Sequence, residues 1–328
     1  MYREGGDGAA VVNVAAGCRE RVWRPDGPVD VALTLSPHRR GAGDPAWRAE
    51  HGGVWRTCRT PDGPGTLLVT VDARERAVLG RAWGPGAEWL LETLPRMLGA
   101  DDDQSGFAGL AGRAAVGGEV VLAAWRRHPG LRIGRTLRVF EALVPAVLEQ
   151  KVVGREAWRA WRWLMRRYGE PAPGPAPEGM RVFPEPEIWR EIPSWDWHRA
   201  GAEAVRARTI ANAARHAGKL EATAEAGPEG SAAADRLLRA LPGIGVWTSA
   251  EIRQRAHGDP DAVSVGDYHI PGVVGWALTG AKTDDAGMLR LLAPFAGHRY
   301  RVTRLLELGG HRPPARGPRM PARDYRSF

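Results

Sequence analysis

Cysteine is nearly missing from this chain: Cys18 and Cys58 are the only two in 328 residues. Two thiols exclude a disulfide framework, a tetrathiolate zinc site and an iron–sulfur cluster, each of which needs more sulfur. A Cys18–Cys58 pair is the one bridge the sequence allows, and a reduced, cytoplasmic state is the simpler reading. Long apolar runs are missing too. No stretch reaches the roughly 18–20 residues that span a bilayer. The short Gly8–Gly17 segment follows Glu4 and Asp7 instead of a basic flank, which argues against a signal peptide. The nine histidines include no pair at i, i+4 to suggest a helical metal site. These absences predict a protein with no metal, no organic cofactor and no membrane contact.

What is present is basic. Lys+Arg 46 against Asp+Glu 38 gives +8 and a pI near 10.1, which points to a polyanionic partner. A composition biased towards arginine throughout would raise the pI in the same way. The length suits two or three domains, and 43% hydrophobic residues can fill their cores.

The chain divides by the period of its apolar residues. Val29–Leu35 alternates, and Gly53–Arg59 and Thr66–Asp72 flank the turn sequence Thr60-Pro-Asp-Gly-Pro-Gly65. This pattern predicts a strand followed by a hairpin, in a small antiparallel sheet covered by a helix over 86–98. From about residue 105 the period becomes helical. Leu137, Phe140, Val144, Val147 and Leu148 share one face, and Ala157, Trp161, Leu164 and Tyr168 share another. Further helices are predicted over 198–217, 231–240, 247–256, 268–279 and 284–308. The expected fold class is α+β: an N-terminal antiparallel β-sheet domain (1–104), a mainly α-helical domain (105–308) and a basic tail (309–328).

Leu241-Pro-Gly-Ile-Gly245 carries the chemistry. Gly243 and Gly245 open backbone conformations closed to other residues, and Pro242 fixes the entry to the turn. A turn of this kind before a helix presents consecutive N–H groups to a phosphate oxygen. An ordinary corner between two helices has the same local pattern. Asp267 lies 22 positions beyond Gly245, at the start of another helix, where its default role is an N-cap. A capping carboxylate still has one oxygen to offer a cleft, so the two roles are compatible.

Leu241–Ala250 with Asp267 resembles the signature of the helix–hairpin–helix DNA glycosylase superfamily, with the motif over about 231–257. Pro129–Ile133, Phe140–Gln150, Val182–Pro186 and Pro294–Tyr300 recur in the order seen in the bacterial 3-methyladenine DNA glycosylase II family. The resemblance covers roughly 105–308. It implies base excision on damaged double-stranded DNA by a monomer, with the damaged nucleotide flipped into a cleft. Gly243, Ile244, Gly245 and Thr248 would form the phosphate-binding hairpin. Asp267 would oppose the positive charge that develops on the sugar as the glycosidic bond breaks. The resemblance also allows a monovalent cation at the hairpin carbonyls, although the chemistry needs none.

Departures from the family pattern refine the expectation. Bifunctional members carry a Schiff-base lysine two places after the second hairpin glycine; this chain has Trp247, which is no such nucleophile. A monofunctional enzyme that leaves an abasic site follows, and the lack of cysteine excludes the iron–sulfur branch. Trp247, Glu251, Tyr268 and His298 are the expected base pocket, although Glu251 stands where the resemblance suggests an aromatic and His298 where it suggests a tryptophan. Gln150 and Lys151 occupy the loop that fills the gap left by the flipped base. Lys151 is a poor apolar wedge, so Gln150 or Val152 fills the gap or Lys151 binds phosphate. Arg155, Arg159, Arg162 and Arg166 share a face that suits either phosphates or solvent. Alkylated purines such as 3-methyladenine or 7-methylguanine are the leading substrates. Deaminated or oxidised bases on the same fold, and a non-catalytic DNA-structure-binding protein, are the alternatives.

Overall fold

The computed structural model describes residues 12–15, 17–50 and 52–314; the end of the basic tail lies outside the described residues. Six antiparallel strands form one sheet in the order β1-β2-β6-β5-β4-β3: β1 (Val12–Ala15), β2 (Cys18–Trp23), β3 (Trp47–Glu50), β4 (Gly53–Thr60), β5 (Gly63–Asp72) and β6 (Ala77–Trp83). The β4–β5 hairpin turns at Pro61–Asp62, with Thr60 opposite Gly63 and the Thr60 hydroxyl donating to Gly63 O at 2.8 Å. Proline presets the first turn residue, and the hydroxyl closes the loop.

Val29–Leu35 is a correction to the expected strand: Val31–Leu35 forms helix α1. Asp30 caps it by accepting from Leu33 N–H at 2.9 Å, and Val31, Thr34 and Leu35 turn inward at helical spacing. Helix α2 (Ala87–Met97) covers the sheet as expected. Leu90, Leu91, Leu94 and Met97 meet Leu67, Val69, Val78 and Ala82, all buried. The strand residues recur every second position and the helix residues every third or fourth, so each element offers one apolar face. Full burial of each large side chain contributes roughly 1.5–3 kcal/mol.

The remaining elements are mostly helices: α3 (Phe107–Arg113), α4 (Gly118–Arg127), α5 (Val139–Leu148), α6 (Gly154–Tyr168), α7 (Pro186–Glu191), α8 (Ser194–Ala200), α9 (Ala204–Ala214), α10 (Ala217–Glu221), α11 (Ser231–Arg239), α12 (Val246–Ile252), α13 (Ile270–Thr279), α14 (Asp285–Leu292) and α15 (Arg299–Leu308). Strands β7 (Glu170–Pro171) and β8 (Arg181–Val182) form a short ribbon between α6 and α7. Two helices expected as continuous are broken. The 198–217 segment divides among α8, α9 and α10, and Gly201 at φ +82 ends α8. The 284–308 segment breaks after α14, where Pro294 enters a short 3₁₀ turn and Gly297 adopts φ +90.

Two helical cores result. One centres on α5 with Trp161, Phe183, Trp189, Ile210 and Ile252, and the other gathers Phe107, Val274, Met288, Phe295 and Leu305. Buried polar ties hold the sheet against the first: Arg56 Nη2 to Glu141 Oε1 at 3.1 Å, Arg40 Nη1 to Glu149 Oε1 at 3.2 Å, and Trp161 Nε1 to Asp44 Oδ1 at 2.8 Å. Such pairs are directional, so they fix orientation where apolar packing alone would permit sliding. Among the described residues, no helix is long and apolar enough to cross a membrane.

Candidate active site

The hairpin joins α11 to α12. Gly243 adopts φ +89, and a β-carbon there would stand 2.1 Å from Thr209 Oγ1 on α9, so glycine is required twice over. Ile244 is buried and its N–H donates to Leu241 O at 3.1 Å, which closes the turn. Gly245 caps α12 in extended backbone, exposed, with open space around its α-carbon. The first N–H groups of a helix lack intrahelical acceptors, and here they follow an open, glycine-flanked turn.

Trp247 and Asp267 meet directly. The indole Nε1–H donates to Asp267 Oδ2 at 3.1 Å, while Asp267 Oδ1 accepts from the N–H groups of His269 (2.7 Å) and Ile270 (2.9 Å). Asp267 Oδ1 therefore holds the backbone turn that leads into α13, whose N-cap position is His269, and Oδ2 faces α12. Both side chains are half-buried.

Gln150 ties the 149–153 loop to the hairpin. Its Nε2 donates to Gly243 O and to Thr248 Oγ1, both at 2.9 Å, and Arg206 Nη1 donates to Gln150 O at 2.8 Å. Gln150 is thus a clamp in this structure, not a free wedge. Lys151 beside it is exposed and sits in the left-handed region at φ +54, a conformation a non-glycine residue keeps only when its surroundings impose it. Leu241 O and Gly243 O each accept one N–H and keep a second lone pair, so these bonds do not by themselves exclude the suggested monovalent cation.

Glu251 is neither a solvated helix residue nor open to a cleft. Its side chain is largely buried, bonded to Arg255 Nη1 at 2.8 Å and to the Ser264 hydroxyl at 2.6 Å. Burial pushes its carboxyl up, but Arg255, Ser264 and Arg40 together hold it below the usual value. Gln254 continues the pattern, with Nε2 donating to Ser264 Oγ at 2.9 Å and to Ala262 O at 2.8 Å. Positions 247, 251 and 254 of one helical face are thus stitched to 267, 264 and 262. The partner Arg255 stands one turn after Glu251, a spacing the sequence displays and the pocket assignment overlooked. His38 faces the same cluster; burial first, then Arg56, Arg255 and Arg40, keep its pKa well below the ordinary histidine value.

Two other expected pocket residues lie elsewhere. Tyr268 is 87% exposed, and its ring meets only the edge of His269 at 4.9 Å. The side chain that follows Asp267 points away from the turn, so sequence adjacency to Asp267 does not bring it inward. His298 packs on the edge of Phe107 at 5.1 Å and accepts from Arg301 Nε at 3.2 Å. Arg301, fully buried, binds Asp102 with both terminal nitrogens. Burial first and then Arg301 lower the His298 pKa, while nearby Asp102 opposes the change. This arrangement secures α15 and is separate from the Trp247–Asp267 contact.

The α6 arginines divide their roles. Arg155 and Arg166 are exposed, whereas Arg162 Nη1 donates to Ala42 O at 3.2 Å. The opposite face places Ala157, Trp161 and Leu164 in the core.

The fold, an antiparallel sheet joined to two helical cores with a glycine hairpin followed by an aspartate, is shared with solved DNA glycosylase structures. The 3-methyladenine DNA glycosylase from Archaeoglobus fulgidus superposes with TM-score 0.71 at 18% identity over 87% of this chain and 97% of that one. An 8-oxoguanine glycosylase/lyase from Clostridium acetobutylicum gives 0.66 at 12% identity, over 91% and 97%. In sequence the chain is similar to the Mycobacterium tuberculosis protein named "Probable bifunctional transcriptional activator/DNA repair enzyme AlkA", with 32% identity over 203 residues. That match takes in 62% of this chain and 36% of the relative, so the chain spans about a third of the curated protein it matches. No profile of a known protein family matches.

Proposed function

We propose that this chain is a monofunctional DNA glycosylase that flips an alkylated purine from double-stranded DNA and hydrolyses its glycosidic bond. The observation that carries the reading is the Trp247–Asp267 contact. It supports a carboxylate held at the edge of the hairpin helix, with an indole where a lyase of this fold would need an amine. The hairpin N–H groups of Gly243 and Gly245, with Thr248 behind them, take one phosphate, while the expected Ile244 N–H stays on Leu241 O and closes the turn. Lys151 and the exposed Arg155 extend the cationic surface along the strand. The proposed cleft lies between helical subdomains of the 105–308 domain, which follows an N-terminal domain (1–104), and the protein acts as a monomer.

The mechanism follows from charge. Alkylation at N3 or N7 makes the purine a cationic leaving group, so departure needs little acid assistance. The bond from C1′ to the base nitrogen breaks and the electron pair leaves with the base. Asp267 opposes the oxocarbenium charge left on the sugar and orients the water that attacks C1′. One proton of that water passes to the Asp267 carboxylate and then to solvent as the C1′ hydroxyl forms, and an abasic site remains.

Deaminated or oxidised bases on the same fold are the second reading, and the closed Glu251–Arg255–Ser264 cluster offers such a base no free hydrogen-bonding edge. A non-catalytic DNA-binding role has less support, because binding alone has no use for a carboxylate turned towards α12.

Base release from methylated duplex DNA tests the proposal, with wild type compared to Asp267→Asn. Asparagine can keep the bonds from His269 and Ile270 while removing the charge. Release by wild type, lost in the variant with DNA binding intact, is the expected result. Equal release by both would remove Asp267 from the chemistry. A panel including hypoxanthine and 8-oxoguanine separates the two base classes, and no release from any lesion would leave only the binding role.

A further inference from the structure

We propose that Trp247 is a positioning residue: its indole N–H fixes the plane of the Asp267 carboxylate, a role beyond lining a base pocket. The inference rests on Asp267 being the charge-stabilising group of the proposed reaction.

The backbone alone holds this carboxylate at one oxygen. The N–H groups of His269 and Ile270 both bind Oδ1, so the planar group can still rock about that anchor through coupled changes of its two side-chain torsions. The indole N–H at 3.1 Å from Oδ2 anchors the second oxygen and resists that rocking. With both oxygens held, the remaining lone pair of Oδ2 keeps one direction. A sugar carbon developing positive charge is stabilised most by a charge already in place, because no reorganisation is then needed as the bond breaks.

The donor is itself fixed. Trp247 lies in the first turn of α12. On that turn the Thr248 hydroxyl accepts from Gln150, and Ser249 Oγ donates to Asp235 Oδ1 at 2.7 Å. One turn later, Glu251 bonds Ser264, and Ser264 O accepts from the Asp267 N–H at 3.2 Å. The helix therefore holds both the carboxylate and the short turn that carries it. An aromatic present only for stacking would have no reason to spend its single N–H on this oxygen, and phenylalanine would stack equally well.

Three variants measured by single-turnover excision on lesion-containing duplex test the proposal. Trp247→Phe keeps an aromatic ring and loses the donor. We expect the excision rate to fall about ten- to a hundredfold, the range associated with misplacing a catalytic group by an ångström or less. The dissociation constant for the same DNA should stay within about threefold, since the ring remains. In an Asp267→Asn background the same substitution should change the residual rate by less than about twofold, because its effect passes through the carboxylate. An undiminished rate in Trp247→Phe, or an equal loss in both backgrounds, would overturn the assignment. A readout independent of catalysis is the indole ¹⁵N–¹H resonance of Trp247, identified by its loss in Trp247→Phe. It should move upfield in Asp267→Asn, and an unmoved resonance would refute the bond. Wild-type protein inert on every lesion would sink the glycosylase reading instead, while the resonance would still decide whether Trp247 holds Asp267.

Discussion

The two hairpin glycines should respond to the same substitution in opposite ways. At Gly243, alanine must adopt φ +89, a left-handed conformation that costs about 1–2 kcal/mol. Its methyl would also stand 2.1 Å from Thr209 Oγ1, a hydroxyl already donating to Val205 O at 3.1 Å. Turning that hydroxyl aside forfeits a hydrogen bond of about 1 kcal/mol. Gly243→Ala should therefore lose roughly 2–3 kcal/mol and melt about 3–4 °C lower. Gly245 has extended backbone and open space, so Gly245→Ala should melt within about 0.5 kcal/mol of wild type. Its methyl would stand on the side from which a phosphate approaches. We expect duplex affinity, read by fluorescence anisotropy, to fall about tenfold as charge-assisted hydrogen bonds worth about 1.5–3 kcal/mol are weakened. Combining Gly243→Ala with Thr209→Ala should recover the steric share and leave the backbone share. If Gly243→Ala melted like wild type, the steric reasoning would be wrong. If Gly245→Ala bound DNA undiminished, the hairpin would not be gripping a phosphate.

Further predictions concern buried charge. Burial first, then Arg253 and Arg135, push the pKa of His257 down to about 4, against about 6.5 in an unfolded chain. Between those values the unfolded state binds a proton that the folded state refuses, so stability is full above about pH 6.5, declines as pH falls towards 4 and levels off below. The difference amounts to about 3 kcal/mol and should appear in urea midpoints between pH 7.5 and 4.5. His257→Gln should flatten that dependence, and an unchanged slope would contradict the assignment. Glu251→Leu strands Arg255 in the interior and should destabilise by about 3–5 kcal/mol in thermal unfolding. Glu251→Leu with Arg255→Met should recover most of that loss; no recovery would show that Arg255 has a second essential partner.

The parts of the fold legible in the sequence are those set by local chemistry. The hairpin glycines, the β4–β5 turn and the apolar faces of α5 and α6 follow from residue type and spacing alone. Val29–Leu35 forms a helix instead of a strand because a seven-residue run satisfies both periods, and the Asp30 cap decides between them. The 284–308 segment misled because its apolar periodicity passes over Pro294 and Gly297, which interrupt the backbone whatever the side chains favour. At the site, Asp267 and Trp247 stood out from the motif, but their hydrogen bond joins residues 20 apart and exists only once α12 packs beside the 262–267 segment. Tyr268 follows Asp267 in sequence, but adjacency says nothing about direction, and its side chain is exposed. Glu251 is closed off by Arg255, a partner of opposite charge four places on along the same face, which the spacing alone displays.

The stitching of α12 to the segment before α13 has a consequence for how this region can change over time. Its rungs pair a helix that advances 1.5 Å per residue with a chain that runs back alongside it, so the match depends on counting. Substitution at 251 or 264 loosens one rung and leaves the others aligned. Inserting a single residue between 247 and 251 would rotate every later side chain by about 100° and take Glu251 and Gln254 off the shared face together. Length, more than identity, is therefore the inherited property here. Descendants of this chain should carry insertions only outside 247–267, and should exchange a charged rung such as Glu251 only together with its partner.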